Sequence, residues 1–94
     1  MNVEPKTYRK IPVEIQSLQW TGDNLPAMAK FMGGDLRFPE RGDNYYVADG
    51  SLYIRNSEGT LRAAPRSYII QGVQGEFYPC PEEVFLATYE EASE

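Results

Sequence analysis

The tyrosine and arginine side chains of residues 45–64, YYVADGSLYIRNSEGTLRAA, are the groups of this sequence best suited to binding chemistry. Four of them fall on one face if the stretch is read as strands: Tyr46, Tyr53, Arg55 and Arg62. A tyrosine ring can stack on a nucleobase, and a guanidinium can grip a phosphate or carboxylate with two parallel hydrogen bonds. The pattern therefore predicts a face that binds a small anionic, nucleotide-like ligand.

The same four residues also have two purely structural interpretations. Tyrosine and arginine are ordinary on solvent-facing strands, and cross-strand Tyr–Arg pairs stabilise a sheet without any ligand. The face could instead pack against a helix or a second subunit, because aromatic residues and arginine are enriched at interfaces. At the level of sequence these alternatives stay open beside the binding site.

Few residues of this sequence could carry out catalysis. It contains no histidine, so the commonest general base and metal ligand is missing. Its single cysteine, Cys80, stands between two prolines and is predicted to be structural. No zinc-binding cluster and no glycine-rich phosphate loop is present. We therefore expect a protein that is not an enzyme and needs no metal or cofactor.

The distribution of charge argues against some classes of binding partner and in favour of another. The net charge of −5 argues against binding to duplex nucleic acid, which requires a broad basic surface. No stretch is apolar for long enough to cross a membrane. No lysine or arginine follows Arg66, whereas glutamates accumulate beyond it. This acidic end suggests an alternative function, an inhibitor that binds a host protein or defence complex through charge.

Turn signals divide the sequence into elements that would position these groups. Asp49-Gly50 predicts a two-residue hairpin turn, and residues 56–59 predict a four-residue turn. Together they define a three-stranded meander over about 44–64, in which Tyr46 lies opposite Tyr53 and Tyr53 opposite Arg62. Its other face is apolar and predicts the core: Tyr45, Val47, Leu52, Ile54, Leu61 and Ala63.

The flanking segments complete a predicted α+β domain that spans residues 1–94. Ile11, Val13 and Ile15 alternate as in a strand, which predicts an N-terminal strand over about 11–20 in the same small antiparallel sheet. Pro26 and Gly33 fit the two ends of a short helix over about 24–32. A hairpin over about 68–78 and a helical turn over about 81–86 follow.

Several segments together resemble a small protein family of unknown function encoded in bacteriophages and prophages. The resemblance lies in QWTGDN, in YIIQGVQGEFYPC and in the later F…TYE, and the matched blocks cover most of the sequence. The family usually has Pro-Gly-Asp before the YII strand, where this sequence has Pro65-Arg66-Ser67. That departure removes the glycine of a tight turn, and it places an additional candidate ligand-binding residue, Arg66, near the other arginines.

The resemblance implies a phage protein expressed in the cytoplasm of a bacterial host, and it brings no catalytic residues. Small phage proteins of this kind often act by binding, which favours a counter-defence or host-modulating protein with a small anionic ligand. A third alternative is a virion or assembly accessory that acts by self-association, since exposed edge strands permit homo-oligomers.

Overall fold

The computed structural model describes residues 3–92, which form a β-rich α+β fold with two short helices. The strands make two antiparallel three-stranded sheets, ordered β2-β3-β4 and β1-β5-β6. In chain order the elements are β1 (Gln16–Gln19), α1 (Leu25–Met32), β2 (Tyr45–Ala48), β3 (Ser51–Asn56), β4 (Gly59–Ala63), β5 (Tyr68–Gln71), β6 (Phe77–Cys80) and α2 (Glu82–Thr88). The prediction of one common sheet is thus wrong. We call β2-β3-β4 the local sheet and β1-β5-β6 the assembled sheet.

The local sheet follows from its two turns. Asp49 and Gly50 have positive φ angles of 53° and 77°, as a type I′ turn requires. Tyr46 pairs with Tyr53 and Tyr53 with Arg62, which are the pairs that the turns predict. The outer edge of β2 is covered by the preceding loop, whose Arg41 forms a β-bridge with Tyr46. That loop satisfies backbone groups that an open strand edge would leave unpaired.

A single hydrophobic core lies between the local sheet, α1 and the assembled sheet. Its buried members are Trp20, Met28, Ala29, Met32, Tyr45, Leu52, Ile54, Ala63 and Ile69. Only part of the predicted core face of the meander is buried, because Val47 is half-buried and Leu61 on β4 is 37% exposed. Trp20 connects the two sheets: its indole N–H donates to the Gly50 carbonyl of the local sheet at 3.1 Å.

The N-terminal strand is much shorter than predicted. β1 pairs with β5 from Gln16 opposite Gln71 to Gln19 opposite Tyr68, and residues 11–15 form no strand. The physical reason is the length of β5. Beyond Gln71 that chain turns away through residues 72–76, so no strand lies beside residues 11–15.

Strand β6 forms one edge of the assembled sheet, and helix α2 packs against the sheet. The second strand of the hairpin extends to Cys80 rather than 78 and includes Pro79. A proline is tolerated there because β6 is an edge strand. The helical turn expected over 81–86 is a longer helix, α2, whose Phe85 ring stacks on Tyr68 at 3.9 Å between centroids.

The turn before β5 forms without glycine. Ser67 N–H donates to the Ala64 carbonyl at 3.0 Å, and Arg66 has a φ of 82°. Proline at the second position and positive φ at the third are the features of a type II turn. The turn is therefore tight although Arg66, a bulky residue, occupies the left-handed region that favours glycine.

Candidate functional site

Three of the predicted ligand-binding residues come together on the outer face of the local sheet. Tyr46 on β2 and Tyr53 on β3 face each other across the strands, and their rings stack at 4.9 Å with an angle of 7° between planes. The guanidinium carbon of Arg55 lies 4.9 Å from the centroid of the Tyr46 ring. The result is a packed group in which two aromatic rings support one cation.

This packing changes what the tyrosines can do. Tyr46 has both Tyr53 and Arg55 within 5 Å of its ring centroid, so little of its surface is free to stack on a ligand. The guanidinium of Arg55 also donates a long hydrogen bond of 3.4 Å to the Asp43 carbonyl. These contacts hold the guanidinium plane in place, while the exposed side chain keeps donors available to an anion.

A groove of about 390 Å³ adjoins this group, and we call it the arginine groove. Its lining residues are Glu40, Arg41, Tyr46, Val47 and Arg55. The loop that covers β2 forms one wall, held by hydrogen bonds from Val47 N–H to the Glu40 carbonyl and from Gly42 N–H to the Tyr45 carbonyl, both 2.9 Å. Two guanidinium groups against one carboxylate make the groove locally positive in a chain of net charge −5.

Arg41 is the site residue that the sequence did not reveal. The loop of residues 35–43 has no alternation that would mark it as part of a sheet. Its position beside Tyr46 depends on the β-bridge, which only the folded chain shows. A useful signal would have been the two small residues Gly34 and Gly42, which leave room for the buried Tyr45 ring beneath the loop.

Arg62 lies on the same face of the local sheet but outside the arginine groove. It pairs with Tyr53 from the β4 side, on the far side from Tyr46, and its side chain is exposed. Within residues 3–92 it forms no ion pair. Arg62 can thus extend the positive face, but it does not share the lining of the groove.

Arg66 does not belong with the other arginines, contrary to the expectation from sequence. Its guanidinium makes two hydrogen bonds to the Glu82 carboxylate on α2, at 3.0 and 3.1 Å. Gln19 donates to the same carboxylate at 2.8 Å. Arg66, followed by Gln19, lowers the pKa of Glu82, and Glu82 in turn raises the pKa of Arg66. This cluster connects α2 to the assembled sheet and leaves no free cation for a ligand.

The remaining reactive groups have structural surroundings. Burial raises the pKa of the half-buried Cys80 thiol, which disfavours the nucleophilic thiolate. Among residues 3–92 no three acidic or cysteine side chains are grouped so that they could hold a metal ion. Neither α1 nor α2 is long and apolar enough to cross a bilayer. At the acidic end Glu82 is committed to Arg66, whereas the exposed glutamates among the described residues beyond Arg66 are Glu76, Glu83, Glu90 and Glu91.

No family model, curated protein or solved structure matches this chain.

Proposed function

We propose that this chain is a phage-encoded, non-catalytic binding protein that takes a small anionic, nucleotide-like ligand in the arginine groove. It acts in the cytoplasm of a bacterial host as a counter-defence or host-modulating protein. The phage origin and the cellular setting are supported by the resemblance of QWTGDN and YIIQGVQGEFYPC to phage proteins. The binding role is supported by the site itself.

One observation carries the proposal: the guanidinium of Arg55 lies over the Tyr46 ring, 4.9 Å from its centroid. A flexible arginine loses side-chain entropy when it binds, whereas one already fixed by ring stacking loses less. Arg41 supplies a second cation in the same groove. Two guanidinium groups can hold a phosphate or carboxylate through charge-assisted hydrogen bonds.

The stacked tyrosines have a supporting role in this proposal. Because Tyr46 is covered by Tyr53 and Arg55, its ring positions the cation rather than receiving a base. The anionic group of the ligand then contributes more binding free energy than its ring does. A nucleoside monophosphate should bind at least tenfold more tightly than the uncharged nucleoside.

The test is an NMR titration of the protein with adenosine monophosphate, adenosine and inorganic phosphate. The expected shifts are confined to residues 40–47 and 53–55, with adenosine giving the weakest response. Arg55→Ala should weaken binding of the monophosphate at least tenfold, and Arg62→Ala should weaken it less. Lys30→Ala removes the same charge from the exposed side of α1 and should leave the affinity unchanged.

Two results would overturn the proposal. One is the absence of any shift in the arginine groove at about 10 mM of all three probes, since millimolar affinity is the weak limit of specific binding. The other is an equal loss of affinity in Arg55→Ala and Lys30→Ala, which would mean that only the overall charge attracts the anion.

A further inference from the structure

The segment before β1 carries apolar side chains that are largely exposed. We call residues 3–15 the arm. Val3 is 87% exposed, Tyr8 85% and Ile11 76%. The Cα radius of gyration is 15.6 Å and the longest extent 56 Å, whereas a compact chain of 94 residues has a radius of about 12 Å. The arm therefore extends away from the folded body.

The sequence pattern of the arm is that of a strand packed on one side. Ile11, Val13 and Ile15 alternate with polar residues, which favours an extended segment with one buried face. β5 ends opposite Gln16, so the chain supplies no strand beside these residues. Ile15 is half-buried, but Ile11 and Val13 are 76% and 50% exposed, which indicates that another surface covers this part of the arm.

A groove of about 600 Å³ at the root of the arm offers such a surface, and we call it the aromatic groove. Its large apolar lining residues are Val13, Ile15, Tyr68, Phe85, Leu86 and Tyr89. The rings of Tyr68, Phe85 and Tyr89 stack in sequence, at 3.9 and 4.9 Å between centroids. Lys10 lies over the Tyr89 ring at 5.7 Å, so the groove already receives one basic side chain from the arm.

The arm and the aromatic groove carry opposite charges. Lys6 and Arg9 are exposed on the arm, and among residues 3–92 neither forms an ion pair. Glu4 is the one acidic residue of residues 3–9, whereas the groove is lined by Glu14, Glu90 and Glu91. Because both surfaces belong to one chain, two copies can satisfy each other reciprocally, as a closed isologous dimer requires.

The reach of the arm fits this arrangement. Residues 3–9 span about 23 Å when extended, at roughly 3.3 Å per residue. Helix α2 has seven residues and is about 10 Å long, at 1.5 Å per residue. The arm can therefore cross the whole length of the groove wall that α2 provides.

We propose that two copies of this chain dimerise by exchanging arms, with residues 3–9 of one copy lying in the aromatic groove of the other. Tyr8 covers the stacked rings, and the long side chains of Lys6 and Arg9, which leave an extended arm on opposite sides, reach the glutamates of the groove. This interface is separate from the arginine groove and does not depend on ligand binding there.

The test is sedimentation equilibrium of the full chain over about 1–500 µM. The wild-type protein should approach twice the chain mass of 10.7 kDa and should dissociate more readily at high salt. Lys6→Glu with Arg9→Glu should weaken the dimer at least tenfold, and so should Glu90→Lys with Glu91→Lys. An equimolar mixture of the two double variants should form a mixed dimer, because both of its arm–groove pairings then have opposite charges.

A matched control reverses two cations outside the arm, Lys30→Glu with Arg37→Glu, and should leave the dimer intact. A wild-type chain that stays monomeric up to 500 µM at low salt overturns the proposal. A dimer that survives both reversals, or a mixture that fails to restore it, places the interface elsewhere and overturns it as well. Binding of a basic peptide to a monomer would identify a foreign segment as the occupant instead.

Discussion

The two sheets of this protein are built by different means. The local sheet joins three strands that follow one another within residues 45–63 through two tight turns. The assembled sheet joins β1 to β5, in which Gln19 pairs with Tyr68 across 49 positions of the chain. The local sheet carries the arginine groove, whereas the assembled sheet carries α2, the Arg66–Glu82 pair and the root of the arm.

This difference has a consequence for stability. Short turns restrict the local sheet even before tertiary packing forms, because closing a small loop loses little entropy. The assembled sheet must close a long loop, so it depends on contacts made after its segments have met. Trp20 is one such contact, since it connects the two sheets and is 1% exposed.

Removal of that connection should have the largest effect. Trp20→Ala is expected to lower the free energy of unfolding by about 3–5 kcal/mol, because it leaves a large cavity and frees the Gly50 carbonyl. Urea denaturation measures the loss. Trp20→Phe keeps much of the buried area and should be much milder, which separates packing from the hydrogen bond. A loss below about 1 kcal/mol for Trp20→Ala would show that the sheets hold together without it.

A substitution in the loop that covers β2 should have the next largest effect on the free energy of unfolding. A Cβ at Gly42 would lie 2.6 Å from Cε1 of Tyr45 and 3.3 Å from the Gly34 Cα. The Tyr45 ring is fully buried and cannot move aside cheaply. Gly42→Ala should therefore destabilise the protein by about 1–3 kcal/mol in thermal or urea unfolding.

The exposed neighbour Asp43 provides the control for this loop. Asp43→Ala should change the free energy of unfolding by less than about 0.5 kcal/mol, as is usual for surface positions. If the two substitutions cost the same, the close approach of Gly42 to Tyr45 is not the cause.

Substitutions of Arg66, in the turn before β5, should change the free energy of unfolding by a smaller amount. Two of them should differ from each other in a clear order. Both Arg66→Ala and Arg66→Gly remove the ion pair with Glu82, but only glycine adopts a φ of 82° freely. The glycine variant should therefore be the more stable of the two in denaturant unfolding. Equal stabilities would mean that the backbone of residue 66 changes when its side chain is lost.

The smallest expected effect is on the pH dependence of the free energy of unfolding. Hydrogen bonds from Arg66 and then Gln19 hold the pKa of Glu82 below its ordinary value of 4.5. The stabilisation from this carboxylate is thus fully present above that value and is lost as the pH falls through the lowered pKa. Unfolding measured from pH 6 to pH 2 should show a weaker pH dependence in Glu82→Gln. An unchanged profile would assign the acid sensitivity to other carboxylates.

The two sheets also differ in how much of their strand pairing can be predicted from the sequence. The register of Tyr46, Tyr53 and Arg62 depends on turn residues within a few positions, and those residues encode it directly. The end of β1 depends on where β5 stops, which no residue near Ile11 or Val13 specifies. For that reason the alternation of residues 11–15 predicts a strand that its own chain does not pair.

The same contrast holds for the candidate site. Tyr46, Tyr53 and Arg55 could be grouped from the sequence because alternation within the meander brings them together. Arg41 could not, since its place follows from a loop folding back on β2. Arg66 was misplaced because its partner Glu82 lies on a helix 16 positions later.

Trp20 is the only tryptophan of the sequence, so tryptophan fluorescence reports on one place, the contact between the two sheets. Trp20 emission should be blue-shifted while the indole is enclosed between the sheets and should shift to the red when water reaches it. Far-ultraviolet circular dichroism follows the strands themselves, including those of the local sheet. If the sheets separate before the meander melts, the fluorescence transition will precede the dichroism transition, and a single unmodified sample will reveal a folding intermediate.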